Sequence, residues 1–136
     1  ALDIDSAKRK VKLWSMAAPP IFLAPPPDEN TKIEVTSNDS PSSPLGNGQL
    51  RFETFEKDFS PGDQIMVFTD GLFEFVDKSG AGFGIRRLRN LFKNSLANPS
   101  VVAQVSEIAE AANAARKHAD LEDDMTFAVV RFNKAA

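Results

Sequence analysis

With 136 residues, 42% of them hydrophobic, the chain is long enough for one ordinary domain with a real core. Its 16 basic and 19 acidic residues leave a net charge of -3, so there is no long-range pull toward nucleic acid or an anionic membrane, and neither is expected as a direct partner. The absence of cysteine removes disulfides, thiolate zinc sites and cysteine nucleophiles, and fits a reducing, cytoplasmic compartment. One histidine, His118, is too few for a multi-histidine metal site, so any metal would be held by oxygens and would be a hard ion such as magnesium, manganese or calcium. No run approaches the roughly 18 apolar residues of a membrane span. The chain starts at Ala1 and enters a strand-like alternation at once, as though cut from a longer protein.

Leu2 and Ile4, then Val11, Leu13 and Ser15, then Ile21, Phe22 and Leu23 read as two or three strands, with Lys8, Arg9 and Lys10 as a solvated hairpin tip. Pro19, Pro20 and Pro25 to Pro27 force loops, because proline lacks the amide donor and restricts the residue before it. Residues 31–36 alternate again around Ile33 and Val35, and 37–48 have the Ser, Asn, Pro and Gly content of a loop. Residues 49–59 suggest a strand carrying Leu50, Phe52 and Phe55, closed by the turn Ser60-Pro61-Gly62-Asp63. Next comes Gln64 to Phe68 (QIMVF), a short apolar run expected to be buried on both faces at the centre of the core.

Leu72 to Val76 suggests a short helix, and 78–84 a glycine-rich loop. Ile85, Leu88, Leu91, Phe92 and Leu96 recur at helical spacing with Arg86, Arg87, Arg89 and Lys93 outside. That basic face reads first as solvated surface, with an acidic or phosphorylated partner as the alternative. Asn98-Pro99 is expected to cap and open a second helix whose Val101, Val105, Ile108 and Ala112 share a face through about Lys117, with Arg116 and Lys117 favouring its C-terminus. The same terminus would leave His118 exposed, and Trp14 reads as strand packing. Met125 to Phe132 (MTFAVVRF) is the closing strand.

Two places set carboxylates at the ends of buried strands. Asp70 follows QIMVF directly and precedes Gly71, which lets the backbone turn or approach a ligand; Asp123 and Asp124 stand just before the closing strand. If the two strands are neighbours, the three carboxylates converge and repel, which a divalent cation would relieve. The plain alternative is aspartates as turn formers and caps.

The strings Pro44-Leu45-Gly46, Gly62-Asp63, Phe68-Thr69-Asp70-Gly71 with Glu74, Gly82-Phe83-Gly84 and Asp123-Asp124-Met125-Thr126 occur in one order across residues 2–132. This order resembles the SpoIIE-like branch of the PPM-type metal-dependent serine/threonine protein phosphatases. The resemblance implies an α+β fold, the four-layer α-β-β-α sandwich of that type lacking its N-terminal strands, with residues 1–136 as the C-terminal part of one domain. It makes Asp70 and Asp123 metal ligands for Mn2+ or Mg2+, binuclear in the complete domain. Asp124 then orients the site with Gly71, and Glu74 is structural, pairing with a basic neighbour. It further implies hydrolysis of phosphoserine or phosphothreonine by metal-activated water, without a protein nucleophile. The partner would be a phosphoprotein in bacterial signalling, often an anti-sigma-factor antagonist.

Departures from the family pattern matter as well. The family's upstream ligands are absent, Asp3 and Asp5 fall in a strand and not in a metal loop, and Met16-Ala17-Ala18-Pro19 stands where many relatives have Ala-Gly-His-Pro. About half of a binuclear site is therefore expected, and the 136 residues alone are expected to be inactive. A phosphatase-like module that binds a regulator without turnover is the alternative, and a small calcium-binding or purely structural domain is the weaker third. Uncovered sheet edges would favour self-association of the fragment.

Overall fold

β1 (Leu2–Asp5) and β2 (Lys10–Ser15) form the hairpin that the opening alternation predicts, pairing Ile4 with Val11 and Leu2 with Leu13. Its tip is a tight turn in which Arg9 takes a left-handed φ of 53° and the Lys8 amide donates to Asp5 Oδ1 at 2.9 Å. The structure is a computed structural model describing residues 2–15, 19–28, 30–35, 53–116 and 124–133, without the side chains of Trp14, Ser15 and Glu53. The expected 37–48 loop, Leu50, Phe52 and the Pro44-Leu45-Gly46 string lie outside the described residues, as does the Met16-Ala17-Ala18 stretch.

β5 (Glu53–Asp58) completes the first antiparallel sheet, in the order β1-β2-β5, with Leu13 opposite Phe55. The second sheet has the order β4-β3-β6-β7, from β3 (Phe22–Ala24), β4 (Glu34–Val35), β6 (Gln64–Phe68) and β7 (Phe127–Arg131). β6 is one of its two inner strands, paired on one side through Phe22 to Met66 and on the other through Met66 to Val129. The turn leading into β6 needs glycine: Gly62 sits at φ 96°, and a Cβ there would lie 2.8 Å from Pro26 Cγ. Asp63 holds the same turn by accepting the Ser60 amide on Oδ2 at 2.8 Å.

Period-two alternation assigns the faces of the second sheet. Phe22, Ala24, Met66 and Phe68 pack with Leu88, Phe92 and Leu96 of the helical layer and with Ile108 and Ala112. Leu23 and Ile65 point the other way, joining Val11, Leu13 and Phe132 between the sheets. The helices are α1 (Gly84–Ser95) and α2 (Val101–Ala115). The result is the expected α+β arrangement, two packed antiparallel sheets with helices on the outer face of one, and QIMVF is buried on both faces as predicted.

Three local expectations change. Residues 72–76 are not a helix: a 3₁₀ turn occupies Asp70–Leu72, and the chain then folds back through 75–83. Phe75 and Phe83 stack with ring centroids 4.6 Å apart and the Phe83 amide donates to the Phe75 carbonyl, a hairpin-like closure incompatible with a continuing helix. The cap of α2 is Ser100, whose side chain accepts the Ala103 amide at 3.4 Å, while Asn98 Oδ1 takes the Ser100 amide and Pro99 stays outside the helix. Finally, α2 stops at Ala115, and Arg116 turns extended and buried instead of solvating the helix end.

A polar cluster that periodicity did not disclose links the helices to the sheet. Arg131, opposite Gln64 in the β6–β7 register, donates to the carbonyls of Asn98 and Pro99 and to Gln104 Oε1. Gln64 Nε2 donates to the Leu96 carbonyl at 3.1 Å. Gln64 thus ties the α1–α2 connection to β6, and Arg131 ties it, together with Gln104, to β7.

Candidate metal centre

Asp70 emerges from β6 where the sequence places it, at the head of the 3₁₀ turn, with its side chain exposed. Its carbonyl accepts the amides of Phe73 and Glu74 at 2.9 and 2.8 Å, and its Oδ1 accepts the Gly71 amide at 3.0 Å. The other carboxylate oxygen has no partner among the described residues. β6 and β7 are neighbours, with Phe68 opposite Phe127, so the condition for convergence of the two motif segments is met.

Thr69 makes that convergence tight. Its amide donates to the Thr126 carbonyl at 2.9 Å, its Oγ1 donates to the Asp124 carbonyl at 3.0 Å, and the same oxygen accepts the Thr126 amide at 3.0 Å. One threonine therefore joins the Asp70 turn to the Asp124-Met125-Thr126 segment. Asp124 is exposed beside that turn, Gly71 is buried within it, and Asp123 lies outside the described residues, as does His118. Among the described residues no group of three or more His, Cys, Asp or Glu is placed to hold a metal ion. Asp70, the expected ligand that lies among the described residues, and Asp124, expected to orient the site, both carry hard carboxylate oxygens, the donor type that suits Mg2+ or Mn2+.

Two residues that carried no site role in the sequence build the surroundings. Arg116, 8% exposed, donates from Nη2 to the Gly71 carbonyl at 2.6 Å, lies 4.3 Å from the Phe75 ring centroid and reaches Met125 Sδ at 3.6 Å. Asp77, buried, accepts the amides of Ser79 and Ala81 and the Ser79 hydroxyl, and pairs with Arg87. The Ser79 hydroxyl, then the Arg87 guanidinium and the two amides, hold its carboxyl well below the usual carboxylate range. The acid of this segment that pairs with a basic neighbour is thus Asp77, whereas Glu74 is exposed and makes no ion pair among the described residues. An aspartate followed two residues later by serine was the available signal, and it is a common turn pattern.

Two hollows flank this framework. One, of about 390 Å³, lies between the sheets and is lined by Val11, Leu23, Ile65 and Phe132, with Lys57 and Glu34 paired among its lining residues. It borders Gln64, at the far end of β6 from Asp70, about 13 Å along the strand. The other, of about 330 Å³, runs between α1 and residues 31–33 and is lined by Thr31, Lys32, Ile33, Arg89, Asn90 and Lys93. Among the described residues it gathers three cations from two segments and no acid.

The fold is shared with solved phosphatase domains. The phosphatase domain of the cell fate determinant SpoIIE from Bacillus subtilis superposes with a TM-score of 0.75 at 18% identity, covering 100% of this chain and 58% of that one. The same domain from Mn-presoaked crystals gives 0.72 at 18% identity, over 100% and 56%. The SiaA-PP2C domain of Pseudomonas aeruginosa gives 0.74 at 19% identity, over 95% and 49%. The chain thus spans about half the length of these domains. No curated protein matches it in sequence. The family model for Stage II sporulation protein E matches residues 1–133, and the chain belongs to the SpoIIE family.

Proposed function

We propose that the chain is the C-terminal part of a metal-dependent protein serine/threonine phosphatase domain acting in bacterial signalling in the cytoplasm, and that it supplies Asp70 and Asp123 to a Mn2+ or Mg2+ centre. The observation that carries this reading is the Thr69 clip, which holds the Asp70 turn and the Asp124-Met125-Thr126 segment side by side at the end of two adjacent strands. Divalent ions in such a centre lower the pKa of a bound water and neutralise phosphoryl oxygens during in-line attack. The chain's own contribution is positional. Asp70 is fixed by its own turn, Gly71 is held at both its amide and its carbonyl, and the Asp124 carbonyl is clipped to Thr69 beside them.

The substrate in this reading is a phosphoprotein, an anti-sigma-factor antagonist being the case that the family resemblance suggests. The groove of Lys32, Arg89 and Lys93 supports an acidic or phosphorylated partner, because charges of one sign on two facing segments attract the opposite sign on approach. A phosphatase-like module without turnover is the second reading, favoured by Met16-Ala17-Ala18-Pro19 standing where many relatives have Ala-Gly-His-Pro.

The test is Asp70→Asn in the complete protein. Hydrolysis of a phosphoserine peptide in Mn2+ is expected to fall at least about 100-fold, with weaker Mn2+ binding and little change in Tm. Unchanged turnover would remove Asp70 from the centre, and a wild-type protein that binds phosphoprotein without hydrolysing it favours the second reading.

A further inference from the structure

Arg116 leaves α2 with φ -62° and ψ 141°, and its backbone runs beside Asp77 while the Lys78 amide donates to the Ala115 carbonyl at 3.0 Å. This extended exit turns a side chain that helix rules would leave in solvent into the interior, where it is 8% exposed. The guanidinium faces no carboxylate among the described residues, and its Nε is buried without a partner there.

What arginine supplies is reach in several directions from one rigid plane. The peptide unit between Gly71 and Leu72 is fixed at both ends: its N–H donates to the Thr69 carbonyl at 3.2 Å and its C=O accepts from Arg116. The same guanidinium stacks over Phe75, just beyond the turn, and touches Met125, the residue between Asp124 and Thr126. Thr69 joins the two segments through its amide and its Oγ1, and Arg116 joins them through its guanidinium. The two ties are independent, and Asp70 lies between the peptides they hold.

We infer that Arg116 is a positioning residue that locks the Asp70 turn to the Asp124-Met125-Thr126 segment, so that their carboxylates are presented in one fixed arrangement. Its importance for metal binding rests on the reading of Asp70 as a ligand, whereas the locking itself does not.

The test compares Arg116→Met and Arg116→Lys with wild type in the complete protein, by amide hydrogen exchange resolved by residue and, separately, by Mn2+ titration followed by electron paramagnetic resonance. In R116M the amides of Leu72, Phe73, Glu74 and Thr126 are expected to exchange about tenfold faster or more, while Met66 and Ile108 keep their rates. R116K, which retains a donor for the Gly71 carbonyl, is expected to recover part of the loss and serves alone if R116M does not fold. Exchange that is unchanged, or that rises in equal proportion through β6, β7 and α2, overturns the inference. Where wild type binds Mn2+, R116M is expected to bind it about tenfold more weakly. A wild type that binds no Mn2+ removes the metal reading while the exchange data still decide the locking.

Discussion

At Thr69, Asp77 and Arg116 a few atoms decide how the turn after β6 is built. Thr69 and Arg116 act across the chain, joining residues 55 or more positions apart in one case and 45 in the other. Asp77 acts locally, closing the 77–81 loop on one oxygen and holding Arg87 of α1 on the other. Because its folded-state pKa is depressed, its contribution to stability is complete above the ordinary carboxylate value of 3.8 and is lost as pH falls from there toward the folded value. Asp77→Asn is therefore expected to lower Tm near neutrality, with the gap from wild type constant down to about pH 4.5 and narrowing below it. Thermal melts across that range check this, and a gap that persists unchanged into acid would mean that the carboxylate's charge is not what the loop uses.

Among the elements, α1 shows how one helix divides its work. Leu88 and Phe92 are fully buried against the second sheet, Arg87 reaches back to Asp77, and Arg86, Arg89 and Lys93 stay exposed, with no acid anywhere in the helix. The sequence displays the apolar stripe plainly, but Lys32, which sits 57 positions before Arg89, joins the basic side only through the fold. If this groove receives the phosphoprotein, Arg89→Glu combined with Lys93→Glu raises KM about tenfold at low salt, leaves kcat and Tm near wild type, and loses its effect as salt screens the charges. Steady-state kinetics at two ionic strengths test this, and an unchanged KM at low salt assigns the groove to ordinary solvated surface. α2 illustrates the limit of pattern reading. Its apolar face was legible, yet the cap moved to Ser100 and Gln104 proved fully buried, because Arg131 supplies a tertiary partner that no helical period encodes.

For the whole molecule β6 is the divide, and its two faces are packed differently. Met66 lies in the close-packed layer under the helices, whereas Ile65 borders the 390 Å³ hollow between the sheets. Both truncations to alanine are expected to destabilise, by about 2–5 kcal/mol, with Met66→Ala at the upper end and Ile65→Ala at the lower, since a side chain beside a void gives up fewer contacts. Urea denaturation ranks them, and a larger loss for I65A would show that the sheets close on each other in solution. No described helix is long and apolar enough to cross a membrane.

The sequence by itself determined the elements whose signal is local and periodic: the β1–β2 hairpin, the doubly buried β6, the stripe of α1, the Gly62-Asp63 turn and the ordered motifs that point to the family. It also marked Asp70 and Asp124 as strand-end carboxylates that would converge if their strands were neighbours, and Asp123, marked with them, lies beyond the described residues. Only the tertiary structure decided that β6 and β7 are neighbours, that Thr69 and Arg116 tie their ends, that the Phe75–Phe83 stack replaces the expected helix at 72–76, and that Lys32 faces α1. The physical reason is the same throughout. Propensity and periodicity act over a few residues, whereas a buried guanidinium, a threonine bridge or a ring stack gains its energy from groups that are distant in the chain and meet only after the sheets and helices have packed.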